Sequence, residues 1–179
     1  MAKKNIINFI LFQISWLVCV LSGAADNNVP AVLITVMFVL VHFRYFAWRY
    51  TDFRLIVSGL LVGLLLDSSY SATGLIAYNG QSMPPIAPWW ILCLWVNFML
   101  TLNHSLSWLL KRRWLAALLA GVGSPLSYFA GQKLGALSWL HPEMLIMVSA
   151  LTWAIAVPFL FKLANYWRKQ EQAMQHALA

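Results

Sequence analysis

The chain has 179 residues, of which 61% are hydrophobic and 9% charged, and it carries a net charge of +7. A soluble globule of that composition would leave most of its apolar surface in water, so the composition excludes one and makes lipid the solvent. The basic residues are dispersed at segment ends instead of lining a groove, which argues against nucleic acid and for anionic lipid headgroups as partners.

A membrane span needs about 20 mostly apolar residues to cross roughly 30 Å of hydrocarbon. Six stretches approach or meet that length, at residues 5–22, 31–46, 55–78, 89–110, 114–130 and 144–163. The first follows Lys3 and Lys4 and ends at Ala25-Asp26-Asn27-Asn28. Its outline also fits a secretory signal with small residues at Ser22-Gly23-Ala24, but Gln13 and Trp16 interrupt the run and favour a retained helix. The second begins after Pro30 and leads into a basic, aromatic boundary of Arg44, Tyr45, Trp48, Arg49, Tyr50 and Arg54. The third carries Asp67 in its interior. Pro84, Pro85 and Pro88 break the chain before the fourth, which stops at Lys111-Arg112-Arg113. The fifth contains Gly121, Gly123 and the kink candidate Ser124-Pro125, and the sixth is followed by Arg168, Lys169 and a polar tail. The fold class expected is therefore all-α, a single polytopic membrane domain over 1–179 built as one bundle of six transmembrane helices.

Positive charge resists translocation, so its distribution over the loops sets the topology. With the N-terminus inside, the inner segments hold Lys3 and Lys4, then Arg44, Arg49 and Arg54, then Lys111, Arg112 and Arg113, then Lys162, Arg168 and Lys169; Lys133 alone lies outside. Both termini are expected in the cytoplasm. Trp89, Trp90 and Trp139 supply an outer aromatic belt and Trp48, Trp114 and Trp167 an inner one. Cys19 and Cys93 fall near the outer ends of their segments and read as packing residues rather than a disulfide.

Polar residues inside the membrane need partners that lipid does not supply. Asp67 leads them, about 18 Å into the bilayer from Leu55 at the rise of an α-helix. Gly59, Gly63, Asp67 and Ser71 recur every four residues and make a stripe of small side chains that lets another helix backbone approach. Asn97, Thr101, His104 and Trp108 share a face on the fourth segment, and Gly121, Ser124, Tyr128 and Gln132 share one on the fifth. Helical rise puts Asp67, Asn97 and Ser124 in one layer, with Tyr128 slightly further out; this is the expected ligand-binding or polar core. Gln13 and His104 form a second layer nearer the cytoplasm, so Asp67 and His104 are not expected to meet directly. The competing role for Asp67 is structural, fastening helices through Asn97, Ser124 or Tyr128. His42 reads as an interfacial residue beside Arg44, and His141 and His176 form no ligand spacing with cysteine or acid.

Several chemistries are excluded by absence of their motifs. There is no phosphate-binding loop, no dinucleotide fingerprint, no histidine pair at metal spacing and no nucleophile elbow. Neither metal nor cofactor is expected, and the chain leans away from an enzyme.

The runs Phe12-Gln13-Ile14-Ser15-Trp16, Gly63-Leu64-Leu65-Leu66-Asp67, Leu102-Asn103-His104-Ser105-Leu106-Ser107-Trp108-Leu109 and Gly123-Ser124-Pro125-Leu126-Ser127-Tyr128, with the continuation to Ala136, resemble an uncharacterised family of bacterial inner-membrane proteins. Members of that family tend to be encoded near cyclopropane-fatty-acyl-phospholipid synthase-like enzymes, so the resemblance implies a place around membrane-lipid modification. Gly-Leu-Leu-Leu-Asp followed by Ser71-Ala72-Thr73-Gly74-Leu75 is also similar to the rod-shape-determining MreD proteins, and that similarity implies the six-helix arrangement of energy-coupling-factor substrate-binding subunits. Three functions are consistent with this reading: an accessory to membrane-lipid or fatty-acid modification, a small-solute-binding membrane subunit, or a scaffold whose basic inner loops dock a membrane or cytoplasmic partner.

Overall fold

The computed structural model describes residues 2–45, 49–80 and 83–177. Among them are six α-helices: α1 (Ala2–Ala24), α2 (Val29–Tyr45), α3 (Arg49–Ala72), α4 (Trp89–Met99), α5 (Arg113–Lys133) and α6 (Pro142–Ala177). Four of these, α1, α3, α5 and α6, are long and apolar enough to cross a membrane. The outward faces of α3, α5 and α6 carry Leu65, Leu118, Leu151 and Ile155, each at least 60% exposed, as a surface solvated by lipid requires.

Three boundaries differ from the sequence reading, each for a physical reason. Helix α3 ends at Ala72, not at 78, because the chain turns through Gly74 at φ 71°. Residues Ile76–Tyr78 then form β1, which pairs antiparallel with β2 (Leu137–Trp139) in the register Ile76↔Trp139 and Tyr78↔Leu137. This two-stranded clasp joins the α3–α4 and α5–α6 connections, both expected on the outer side.

Helix α4 stops at Met99, eleven residues from its start, and turns take over to a 3-10 turn at Ser107–Leu109. Irregular backbone at this depth has to be satisfied by protein. Asn8 on α1 does so: its Nδ2 donates to the Leu100 carbonyl at 3.1 Å, and its Oδ1 accepts from Ser105 Oγ at 2.7 Å and Ser105 N at 3.3 Å. Leu100 and Leu102 in this stretch are fully buried.

The third difference is the C-terminus, where the expected polar tail continues α6 as helix to Ala177. Its last turns hold the start of α3. Glu171 Oε2 accepts from Thr51 N at 2.9 Å and Thr51 Oγ1 at 2.7 Å, and Oε1 accepts from Tyr50 N at 3.4 Å. A carboxylate at exposed helical N–H groups, at the positive end of the helix dipole, is stabilising. Glu171→Ala is therefore expected to cost about 1–2 kcal/mol, read as a lower thermal midpoint in detergent, with Gln172→Ala, at an exposed position on the same helix, as the neutral control.

The aromatic belts are only partly interfacial. Trp89 and Trp114 are exposed, but Trp90 is buried, packed over Gly23 with its Nε1 donating to the Asn79 carbonyl at 2.8 Å. Trp48 lies outside the described residues. Cys19 and Cys93 are both buried free thiols.

Candidate functional site

Two buried polar clusters sit about 22 Å apart along α3, at Asp67 and at Asp52, by the rise of fifteen helical residues. They are separated by the Gly59–Gly63 stretch, whose missing side chains are filled by Met99 and Trp95 of α4. The glycine stripe thus receives large side chains, where a close backbone approach was expected.

The first cluster centres on Asp67. Its Oδ1 accepts from Tyr78 Oη and Tyr128 Oη, each at 2.7 Å, and its Oδ2 accepts from Trp95 Nε1 at 2.7 Å. The donors come from β1, α5 and α4, so one carboxylate fastens three elements to α3. An ionised carboxylate accepts all three bonds at once, and an indole N–H can only donate. Tyr78 lies in the strand outside the helices, and burial, followed by the adjacent Asp67 charge, raises its phenol well above the usual range. It therefore keeps its proton and remains a donor. Trp95 extends the cluster to α6 by stacking on Trp153 at 4.6 Å between ring centroids.

Beside this cluster is a cavity of about 500 Å³ between α1 and α4 on one side and α5 and α6 on the other. Helices α1 and α5 do not pack along their length; Trp16 Nε1 donates to Ser127 Oγ at 3.2 Å across the gap. Phe12, Phe98, Leu119 and Trp153 contribute to a wall that is mostly apolar, and Asp67 is the only acidic side chain among the described lining residues. Ser124 Oγ lines it, buried and without a hydrogen-bond partner among the described residues. Gln13, Gly123 and Ser127 are exposed at its opening.

Of the residues named from sequence as a polar core, Asp67, Ser124 and Tyr128 line this cavity, as does Gln13 from the second layer. Asn97 does not join them. Its Nδ2 donates to Thr35 Oγ1 at 2.9 Å and to Cys19 Sγ at 3.6 Å, fastening α4 to α2 and α1. His104 also goes elsewhere, because the chain leaves the helical path after Met99 and carries it toward α2 and α3.

That second destination is the Asp52 cluster. His42 Nε2 and His104 Nε2 both donate to Asp52 Oδ2, at 2.8 and 2.9 Å, and Asn103 Nδ2 donates to Asp52 Oδ1 at 2.8 Å. All four residues are buried. From sequence, His42 reads only as an interfacial residue, His104 has no partner and Asp52 carries no distinguishing pattern. Residues separated by 10 and 52 positions carry no local spacing signal. The one available clue was that a short α2–α3 connection makes His42 and Asp52 neighbours at facing helix ends.

A family model described as "Protein of unknown function (DUF2878)" matches residues 5–159. Comparison with curated proteins and with solved structures finds no match.

Proposed function

The chain belongs to the DUF2878 family, and we propose from its geometry that it handles a membrane lipid, acting as an accessory to membrane-lipid or fatty-acid modification. The lipid's hydrocarbon chain occupies the cavity between α1 and α5, and a hydroxyl or similar polar substituent reaches Ser124 beside Tyr128. The observation that carries this reading is the cavity itself: its size is that of a small-molecule site, its wall is apolar, and its opening lies between two helices apolar enough to span a membrane. Asp67 serves it indirectly, since two of its hydrogen bonds hold Tyr128 and Trp95 in the wall. A small-solute-binding subunit of the energy-coupling-factor kind or a scaffold for a partner at the basic inner loops is the alternative. The apolar wall favours lipid over a polar solute. The asymmetry of Lys and Arg supports residence in the bacterial inner membrane with both termini cytoplasmic.

Gly123 provides the test, because a Cβ added there meets no atom within 4 Å. Gly123→Leu is expected to fill the opening while leaving stability within about 1 kcal/mol of wild type, since a helix accepts leucine more readily than glycine. Mass spectrometry of lipids retained by the purified protein is expected to find a tightly held lipid on wild type and its loss from Gly123→Leu. Equal retention by the two proteins would overturn the proposal. Deletion of the protein is expected to change the lipid profile of its host.

A further inference from the structure

We infer that His42, Asp52 and His104 form a binding site for a divalent transition-metal ion of the zinc type, independent of the lipid cavity. Two imidazoles and a carboxylate are ligands that Zn²⁺ takes readily. Their donor atoms lie within 4.8 Å of one another. What distinguishes this group from an ordinary polar contact is convergence: two separate rings, 4.6 Å apart and at 84° to each other, direct the same nitrogen at the same carboxylate oxygen.

Around a tetrahedral ion with bonds of 2.0–2.1 Å, neighbouring donor atoms stand about 3.3 Å apart. The observed Nε2–Oδ2 separations are 2.8 and 2.9 Å. Opening by about half an ångström, within side-chain adjustment, admits the ion. On binding, each neutral ring shifts its one proton from Nε2 to Nδ1 and offers the freed Nε2 lone pair to the metal, so two N–H···O bonds are replaced by two N–metal bonds and the carboxylate supplies the third bond to the metal. The other carboxylate oxygen keeps its bond from Asn103, which orients it as outer-sphere partners of metal ligands do. Asn103 Oδ1 is a buried acceptor with no donor among the described residues. The site joins the end of α2, the start of α3 and the turns after α4, so a bound ion cross-links the inner end of the bundle.

The experiment uses the tag-free, full-length protein in detergent, stripped of metal and titrated with Co²⁺ while its visible absorption is followed. One Co²⁺ per chain is expected, displaced by Zn²⁺. His104→Gln and Asp52→Asn are each expected to weaken binding by about tenfold or more, and Asn103→Ala by about tenfold. His141→Gln and His176→Gln, both at exposed positions, are expected to bind like wild type. Absence of saturable one-to-one Co²⁺ absorption by folded wild-type protein would overturn the inference, whatever the variants do. So would unchanged binding by a folded His104→Gln protein.

Discussion

Replacing Asp67 by alanine is expected to destabilise the bundle by about 3–5 kcal/mol, because it strands three buried donors at about 1–3 kcal/mol each, with some recovered by relaxation. Tyr78, Tyr128 and Trp95 donate only to this carboxylate in the cluster, and Asp67 is 1% exposed, so water does not replace it. Asp67→Asn separates the contributions. Its amide oxygen still accepts from the two tyrosines, but its NH₂ faces the Trp95 N–H, donor against donor, for a loss of about 1–3 kcal/mol. Thermal unfolding in detergent is expected to rank wild type above Asp67→Asn and Asp67→Ala last. An alanine variant as stable as wild type would show that the carboxylate does not organise its neighbours.

Gly63→Ala is expected to be nearly as damaging, by about 3 kcal/mol. A Cβ at Gly63 falls on the Trp95 ring. Overpacking of this kind costs about 1–3 kcal/mol, and moving the ring also breaks its 2.7 Å bond to Asp67 and disturbs its stacking on Trp153. Gly59→Ala is expected to be milder, about 1–2 kcal/mol, because its Cβ meets Met99, whose flexible side chain repacks more readily than an indole. The order of thermal midpoints among Gly123, Gly59 and Gly63 variants therefore reports where α3 is filled and where α5 is open.

The six helices were legible because length and hydropathy are nearly sufficient to define a span in lipid. Tyr128 and Ser124 were legible near Asp67 because regular helical rise carries depth faithfully along α3 and α5. The same arithmetic misplaced His104, since α4 loses its helical path at Met99 and the 3.6-residue period no longer applies. Tyr78 was hidden within an overlong third helix, and Trp95 was one apolar residue among many on α4. Asp52 stands among Arg49, Tyr50 and Arg54 with nothing in the sequence to single it out. Its pairing with His42 and His104 depends on how three helix ends converge, which is a tertiary property with no period to read. The exposed α1–α5 opening was likewise invisible, because an apolar face reads the same whether it meets a helix, a cavity or lipid.

The most direct measurement is photo-cross-linking in membranes with a phospholipid carrying a reactive group at the end of its acyl chain, followed by mapping of the labelled residues. A lipid chain held between α1 and α5 is expected to label Phe98 and Trp153, inside the cavity, and to lose that labelling in Gly123→Leu. Labelling confined to outward residues such as Leu33, Leu65 and Ile155, with Phe98 and Trp153 unmarked, would contradict the account.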